Sequence, residues 1–132
     1  MSVLVDSDLI IDGLKNIPAV LTLLQGTASD GMAVSTITLA EVYEGAFNTE
    51  YPARHIADAR RFLERYVTLD ATDPVSEIFA GIRADLRRQG NLIPDMDLLI
   101  AATALTFDLA PLTHNDRHFS RVPGLRLHQP AS

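Results

Sequence analysis

The sequence predicts an α/β protein, a three-layer α/β/α sandwich built on a central, mostly parallel sheet of about five strands. Two observations carry that expectation. Short apolar runs alternate along the chain with segments of helical period, the pattern that right-handed strand–helix–strand crossovers leave in a sequence. The runs are apolar at every position, as strands covered on both faces are.

Val3-Leu4-Val5 is the first such run, and it stops at Asp6. Leu9-Ile10-Ile11-Leu14 and Val20-Leu21-Leu23-Leu24 read as two short helices separated near Pro18. Met32-Ala33-Val34 is the second strand, and the spacing turns helical from Thr38 to Ala46. A further helix over Ala53 to Tyr66 places Ile56, Ala59, Leu63 and Tyr66 on one face, and Val67-Thr68-Leu69 follows as the third strand. Asp73-Pro74 reads as a helix start, a capping acid followed by proline at the first helical position. Val75, Ile78, Phe79, Ile82 and Leu86 keep the helical spacing until Gly90 stops it. Asp95 opens a helix whose Ala101, Ala102 and Ala104 allow close packing on a sheet. Leu109 to Thr113 is the fourth strand, with Pro111 expected at its entrance because proline is awkward inside a central strand. Arg126-Leu127-His128 is expected as a fifth, near an edge.

Composition narrows the class. The 132 residues are 47% hydrophobic, enough for one core, so a single domain over residues 1–132 is expected. Seventeen acidic against eleven basic side chains give a net charge of −6, which argues against a protein that coats nucleic acid through a basic surface. It leaves room for a nucleic-acid enzyme, because a bound divalent cation reverses the local sign. The absence of cysteine excludes disulfide scaffolds, zinc knuckles, iron–sulfur clusters and thiol nucleophiles. No apolar run approaches the about 20 residues that cross a bilayer. The Met1-Ser2-Val3-Leu4-Val5-Asp6 start lacks the basic stretch and long apolar run of a signal peptide, so a cytoplasmic protein is expected.

The carboxylates carry the functional signal. Asp6 and Asp8 follow the first strand, Glu41 lies one turn into the helix after the second, Asp95 and Asp97 open the helix before the fourth, and Asp116 follows the fourth. Ends that follow parallel strands share one sheet edge, so these acids are expected to converge there. Clustered like charges raise one another's pKa, and a hard divalent cation such as Mg²⁺ or Mn²⁺ relieves the repulsion. Each acid also has a plainer reading. Asp8 is placed to cap the helix that starts at Leu9, and Thr38-x-x-Glu41 has the form of a capping box. Asp95 is placed as an N-cap, Asp97 would gain from the helix dipole, and Asp116 could stabilise a turn beside Asn115. Asp6 resists such a reading, since an unpartnered carboxylate after a fully apolar strand is costly to desolvate.

Four fragments in order resemble the PIN-domain ribonucleases, specifically the VapC-type toxins of bacterial toxin–antitoxin pairs. They are Val3-Leu4-Val5-Asp6-Ser7-Asp8, Ser35-Thr36-Ile37-Thr38-Leu39-Ala40-Glu41, the Ile93-to-Ala104 segment and Leu112-Thr113-His114-Asn115-Asp116-Arg117-His118-Phe119. The resemblance implies Mg²⁺-dependent hydrolysis of RNA, with Mn²⁺ as a substitute. It makes Asp6 and Asp97 metal ligands and Glu41 the residue that orients or deprotonates water. The fourth acidic position falls at Asn115 or Asp116; Asp116 is preferred because a carboxylate binds metal more strongly than an amide. The family often has Asn where this chain has Asp8, which gives Asp8 a tuning role, and Asp95 is an additional acid near the site. Ser7 and Thr36 are candidate hydrogen-bond donors to the carboxylates. Arg117 and His118 adjoin the site; Arg117 is placed to touch substrate, and His118 has a structural or RNA-contacting role.

Seven of the eleven basic residues lie between Arg54 and Arg88, and ten of the eleven are arginine, which suits phosphate contact. Ion pairing along a solvated helix face explains them equally simply. The resemblance also implies a homodimer, for which apolar residues of Ile17 to Leu24 and Tyr43 to Phe47 would supply the surface. It implies a VapB-like antitoxin whose basic tail enters the acidic pocket. Three alternatives compete. A PIN nuclease of RNA maturation would have no antitoxin gene beside its own. A phosphoacceptor receiver, with Asp70 as acceptor, needs a lysine near the fourth or fifth strand end, and the one lysine is Lys15. A non-catalytic binding module would show broken acids, and these are intact.

Overall fold

A computed structural model describes residues 2–28 and 31–128. The elements are β1 (Val3–Val5), α1 (Ser7–Leu14), α2 (Pro18–Thr27), β2 (Met32–Ser35), α3 (Thr36–Phe47), α4 (Pro52–Leu63), β3 (Val67–Leu69), α5 (Asp73–Arg88), α6 (Asp95–Thr106), β4 (Ala110–Leu112) and α7 (Asp116–Phe119). Four strands form one sheet in the order β3-β2-β1-β4, and every neighbouring pair is parallel.

The two faces follow from the period of two along each strand. Val3, Val5, Met32 and Val34 point to one side, where they meet Leu9, Ile10, Val20, Leu24, Val42, Ala59 and Leu63 of α1–α4. Leu4 and Ala33 point to the other, against Leu86, Leu98, Ile100, Ala101, Ala104 and Phe119 of α5–α7. Helices therefore cover both faces, and β1, which leads directly into Asp6, is buried throughout. No helix among the described residues is long and apolar enough to cross a membrane.

Arg126–His128, expected as a fifth strand, is not one, and Pro111 explains why. Ala110 donates to Ser2 and Leu112 accepts from Asp6, so these two residues of β4 face β1 and Pro111 faces outward. The outward carbonyl of Pro111 accepts from the His128 N–H at 3.1 Å, but proline has no N–H to return, and the ladder stops at one bond. Pro111 itself sits in the middle of β4, not at its entrance. It is tolerated there because β4 is an edge strand and the missing donor faces away from the sheet.

Helix starts differ from expectation in a consistent way. Helix α1 begins at Ser7, so Asp6 and not Asp8 is its cap. Helix α3 begins at Thr36, with the Ser35 hydroxyl accepting from the Thr38 N–H at 3.1 Å; the Thr38–Glu41 capping box does not form. Thr72, not Asp73, caps α5, and Pro94, not Asp95, precedes α6. Gly90 does end α5, at a φ of 66° that favours glycine. Of the apolar residues proposed for a dimer surface, Ile17 and Phe47 are exposed, whereas Val20 and Leu24 are core.

Candidate active site

The site forms where β1, β2 and β4 end. As β1 gives way to α1, Asp6 keeps extended backbone (φ −75°, ψ 158°), and its Oδ1 accepts from the Ser7 N–H at 2.8 Å. Its Oδ2 accepts from the Thr113 hydroxyl, just past β4, at 2.7 Å. Asp6 is only 1% exposed. Burial pushes its pKa from 3.8 up to about 6, and the charges of Asp8 and Asp97 add to the rise, while the hydrogen bonds from Thr113 and Ser7 oppose it.

Ser7 links the first acid to the second. Its hydroxyl donates to Glu41 Oε1 at 2.9 Å and lies 3.4 Å from Asp6 Oδ1. Burial raises the pKa of Glu41, which also feels the charges of Asp97, Glu44 and Asp8. Asp8, in the first turn of α1, turns its Oδ2 to the His114 N–H at 2.9 Å, with the Thr113 hydroxyl 3.5 Å away. Its Oδ1 is buried without a hydrogen-bond partner, and burial raises its pKa too. Asp97, in the first turn of α6, receives the His118 ring nitrogen Nδ1 on Oδ2 at 2.6 Å.

The fold thus gathers Asp6, Ser7, Asp8, Glu41 and Asp97. It does not draw every candidate inward. Asp95 is 61% exposed at the side chain and pairs with Arg83 of α5 at 2.8 Å. Asp116 opens α7 in an exposed position and, among the described residues, makes no side-chain hydrogen bond or ion pair. Arg117 is exposed beside it. Asn115 takes part through its backbone, donating to the Thr113 hydroxyl oxygen at 2.9 Å. Thr36 begins α3 half-buried and holds none of the carboxylates among the described residues.

Two contributors went unassigned as carboxylate partners in the sequence. Thr113 holds Asp6, and a signal for it exists: it follows the fourth strand as Asp6 follows the first. His118 holds Asp97, and no local pattern announces that contact, because the partners lie 21 residues apart.

The donor set suits a hard divalent cation. It is oxygen throughout, burial and neighbouring acids raise the pKa of Asp6 and Glu41, and it leaves one buried carboxylate oxygen unpartnered. Among the described residues, no three Asp, Glu or His side chains stand together in the arrangement a metal ion needs.

The arginines between Arg54 and Arg88 do not make one surface. Those of α4 lie on the side of the sheet that carries Ala59 and Leu63, those of α5 on the opposite side with Leu86. Arg60 stacks over Tyr43 and Arg65 over Phe62, while Arg83 and Arg88 are paired with Asp95 and Asp85.

The chain is similar to known proteins along almost its whole length. The family model for the PIN domain matches residues 3–125. Ribonuclease VapC2 of Haemophilus influenzae strain Rd is 37% identical over 123 residues, 93% of each chain. A tRNA(fMet)-specific endonuclease VapC of Shigella flexneri is 33% identical over the same length. The DNA-bound VapBC crystal structure from Salmonella typhimurium superposes with a TM-score of 0.89 at 31% identity, covering 97% of both chains.

Proposed function

This chain belongs to the PIN-domain family, and on that premise we propose that it is a metal-dependent endoribonuclease, the toxin of a toxin–antitoxin pair acting in the cytoplasm. The observation that carries the reading is the convergence of Asp6, Glu41 and Asp97 from three distant segments onto one sheet edge, with Ser7 bonding Glu41 and lying against Asp6. Relatives named as VapC ribonucleases that align along almost the whole chain support it.

In this reading Asp6 and Asp97 would hold Mg²⁺ or Mn²⁺, which would supply acidification of water and neutralisation of phosphate charge. Ser7 occupies Glu41 Oε1 and so fixes the side chain, leaving Oε2 to take the proton of the attacking water. Water oxygen bonds to phosphorus as the phosphorus–ester oxygen bond breaks, and the departing oxygen takes its proton from solvent. Thr113 and His118 hold Asp6 and Asp97 against the repulsion between them. Asp8 adds negative charge beside Asp6, while Asp116, exposed at the start of α7, stays outside the gathered set. A VapB-like antitoxin fits the acidic pocket through a basic side chain on its tail, and the relatives crystallised as VapBC complexes support such a partner. The chain acts as a homodimer, with Ile17 and Phe47 among the exposed apolar residues available to it.

Because one relative is named for tRNA(fMet), that RNA is the first substrate to assay. The purified chain should cut it in Mg²⁺ and not in excess EDTA. Asp6→Asn and Asp97→Asn should each abolish cleavage while remaining folded. Full activity in a folded Asp97→Asn protein would overturn the assignment.

A further inference from the structure

We propose that His118 is the positioning residue for Asp97, turning one carboxylate oxygen toward α7 so that the other faces the site; the inference rests on the nuclease reading. His118 Nδ1 lies 2.6 Å from Asp97 Oδ2, and the two side chains are only 27% and 13% exposed. An ionised carboxylate only accepts, so Nδ1 is the ring nitrogen that carries the proton.

Asp97 depends on this contact because of how α6 begins. It is the third residue of the helix, where an acidic side chain ordinarily reaches back to the N–H of the cap residue. The cap residue here is Pro94, which has no N–H. Asp95, the other acid of that turn, is committed outward to Arg83 of α5. Among the described residues His118 makes the one side-chain hydrogen bond that Asp97 has, and without it the carboxylate is free to rotate toward solvent or its own helix end.

His118 in turn has little freedom. Phe119 beside it is fully buried, and Val122 one turn on is also core, so α7 is pinned against α6. The segment Asp116–Phe119 therefore presents an imidazole to the acidic site, while Asp116 stays exposed. This gives the turn after β4 a function that does not depend on the fourth acid.

The test compares three substitutions in the purified full chain, reading the Mg²⁺ dissociation constant by calorimetric titration beside the rate of tRNA(fMet) cleavage. In His118→Asn the side-chain amide nitrogen stands near the place of Nδ1; in His118→Gln it lies farther out; His118→Ala has no donor. Loss of a partner behind a metal ligand weakens affinity or activity by about 10–100-fold, and that loss is expected for Ala and Gln, with Asn restoring both to within a few-fold. Wild-type Mg²⁺ affinity and cleavage in His118→Ala would overturn the proposal. So would equal loss in all three, which is what a packing role produces. If the unsubstituted chain neither bound Mg²⁺ nor cut RNA, the nuclease reading itself would fall, a different result from either of these.

Discussion

At the scale of single residues, Asp6 makes stability depend on pH. Its pKa in the folded chain is about 6 against 3.8 for a free side chain, so between these values the folded state binds the proton more tightly than the unfolded state. Stability supplied by this group therefore falls as pH rises from about 4 to about 6 and stays low above. The shift corresponds to a cost on the order of 3 kcal/mol for the ionised form at neutral pH. In metal-free protein at pH 7.5, Asp6→Asn should raise the melting temperature and make the fall between pH 4 and 6 shallower, the remainder coming from Asp8 and Glu41. The contact with Thr113 survives the change, because that hydroxyl can accept from an amide as it donates to a carboxylate. Thermal unfolding of both proteins across that range checks this; parallel profiles would mean that Asp6 is not strained. The strain was legible in the sequence, since an acid ending a fully apolar strand has few means of solvation. Its relief by Thr113 was signalled only by that residue's place after the fourth strand, and the tie between Asp97 and His118 was not legible, because it joins residues far apart in sequence and depends on how α7 is set.

At the scale of elements, the capping shifts of α1 and α3 share one cause. A helix that starts directly from a buried strand end takes the last strand-side polar residue as its cap, so Asp6 and Ser35 serve and α1 and α3 begin earlier than apolar spacing suggests. Helix identity was readable because the 3.6-residue period survives burial; the starting residue was not, because it is set by where the sheet ends. Pro111 shows the converse. Its effect on the Arg126–His128 segment depends on which way its carbonyl points, a matter of register with β1 and not of composition. Close packing also sets Gly13, where a Cβ would lie 2.8 Å from the Phe62 ring of α4. Gly13→Ala should cost about 1–3 kcal/mol by forcing that ring aside. Chemical denaturation measures it, and because Gly13 lies at the far end of α1 from Asp6, cleavage in the folded fraction should stay within a few-fold.

At the scale of the whole molecule, a parallel sheet with helices on both faces converts scattered acids into one site. Strand order β3-β2-β1-β4 puts β1 between β2 and β4, so the residues that leave the ends of these three strands meet at one edge. That convergence was readable from the order of apolar runs and acids alone. The division of the arginines between α4 and α5, on opposite faces, was not, because sequence proximity hides the sheet that separates them. On the proposed function, the gathered carboxylates bind a hard divalent cation. Thermal unfolding of the free chain across a millimolar Mg²⁺ titration at pH 7.5 tests it most directly. The unsubstituted chain should gain about 2.7 kcal/mol when Mg²⁺ reaches about 100 times its dissociation constant, and Asp6→Asn and Asp97→Asn should gain much less. An unsubstituted chain whose melting temperature does not move with Mg²⁺, or variants that gain as much as it does, would mean that these carboxylates form no cation site.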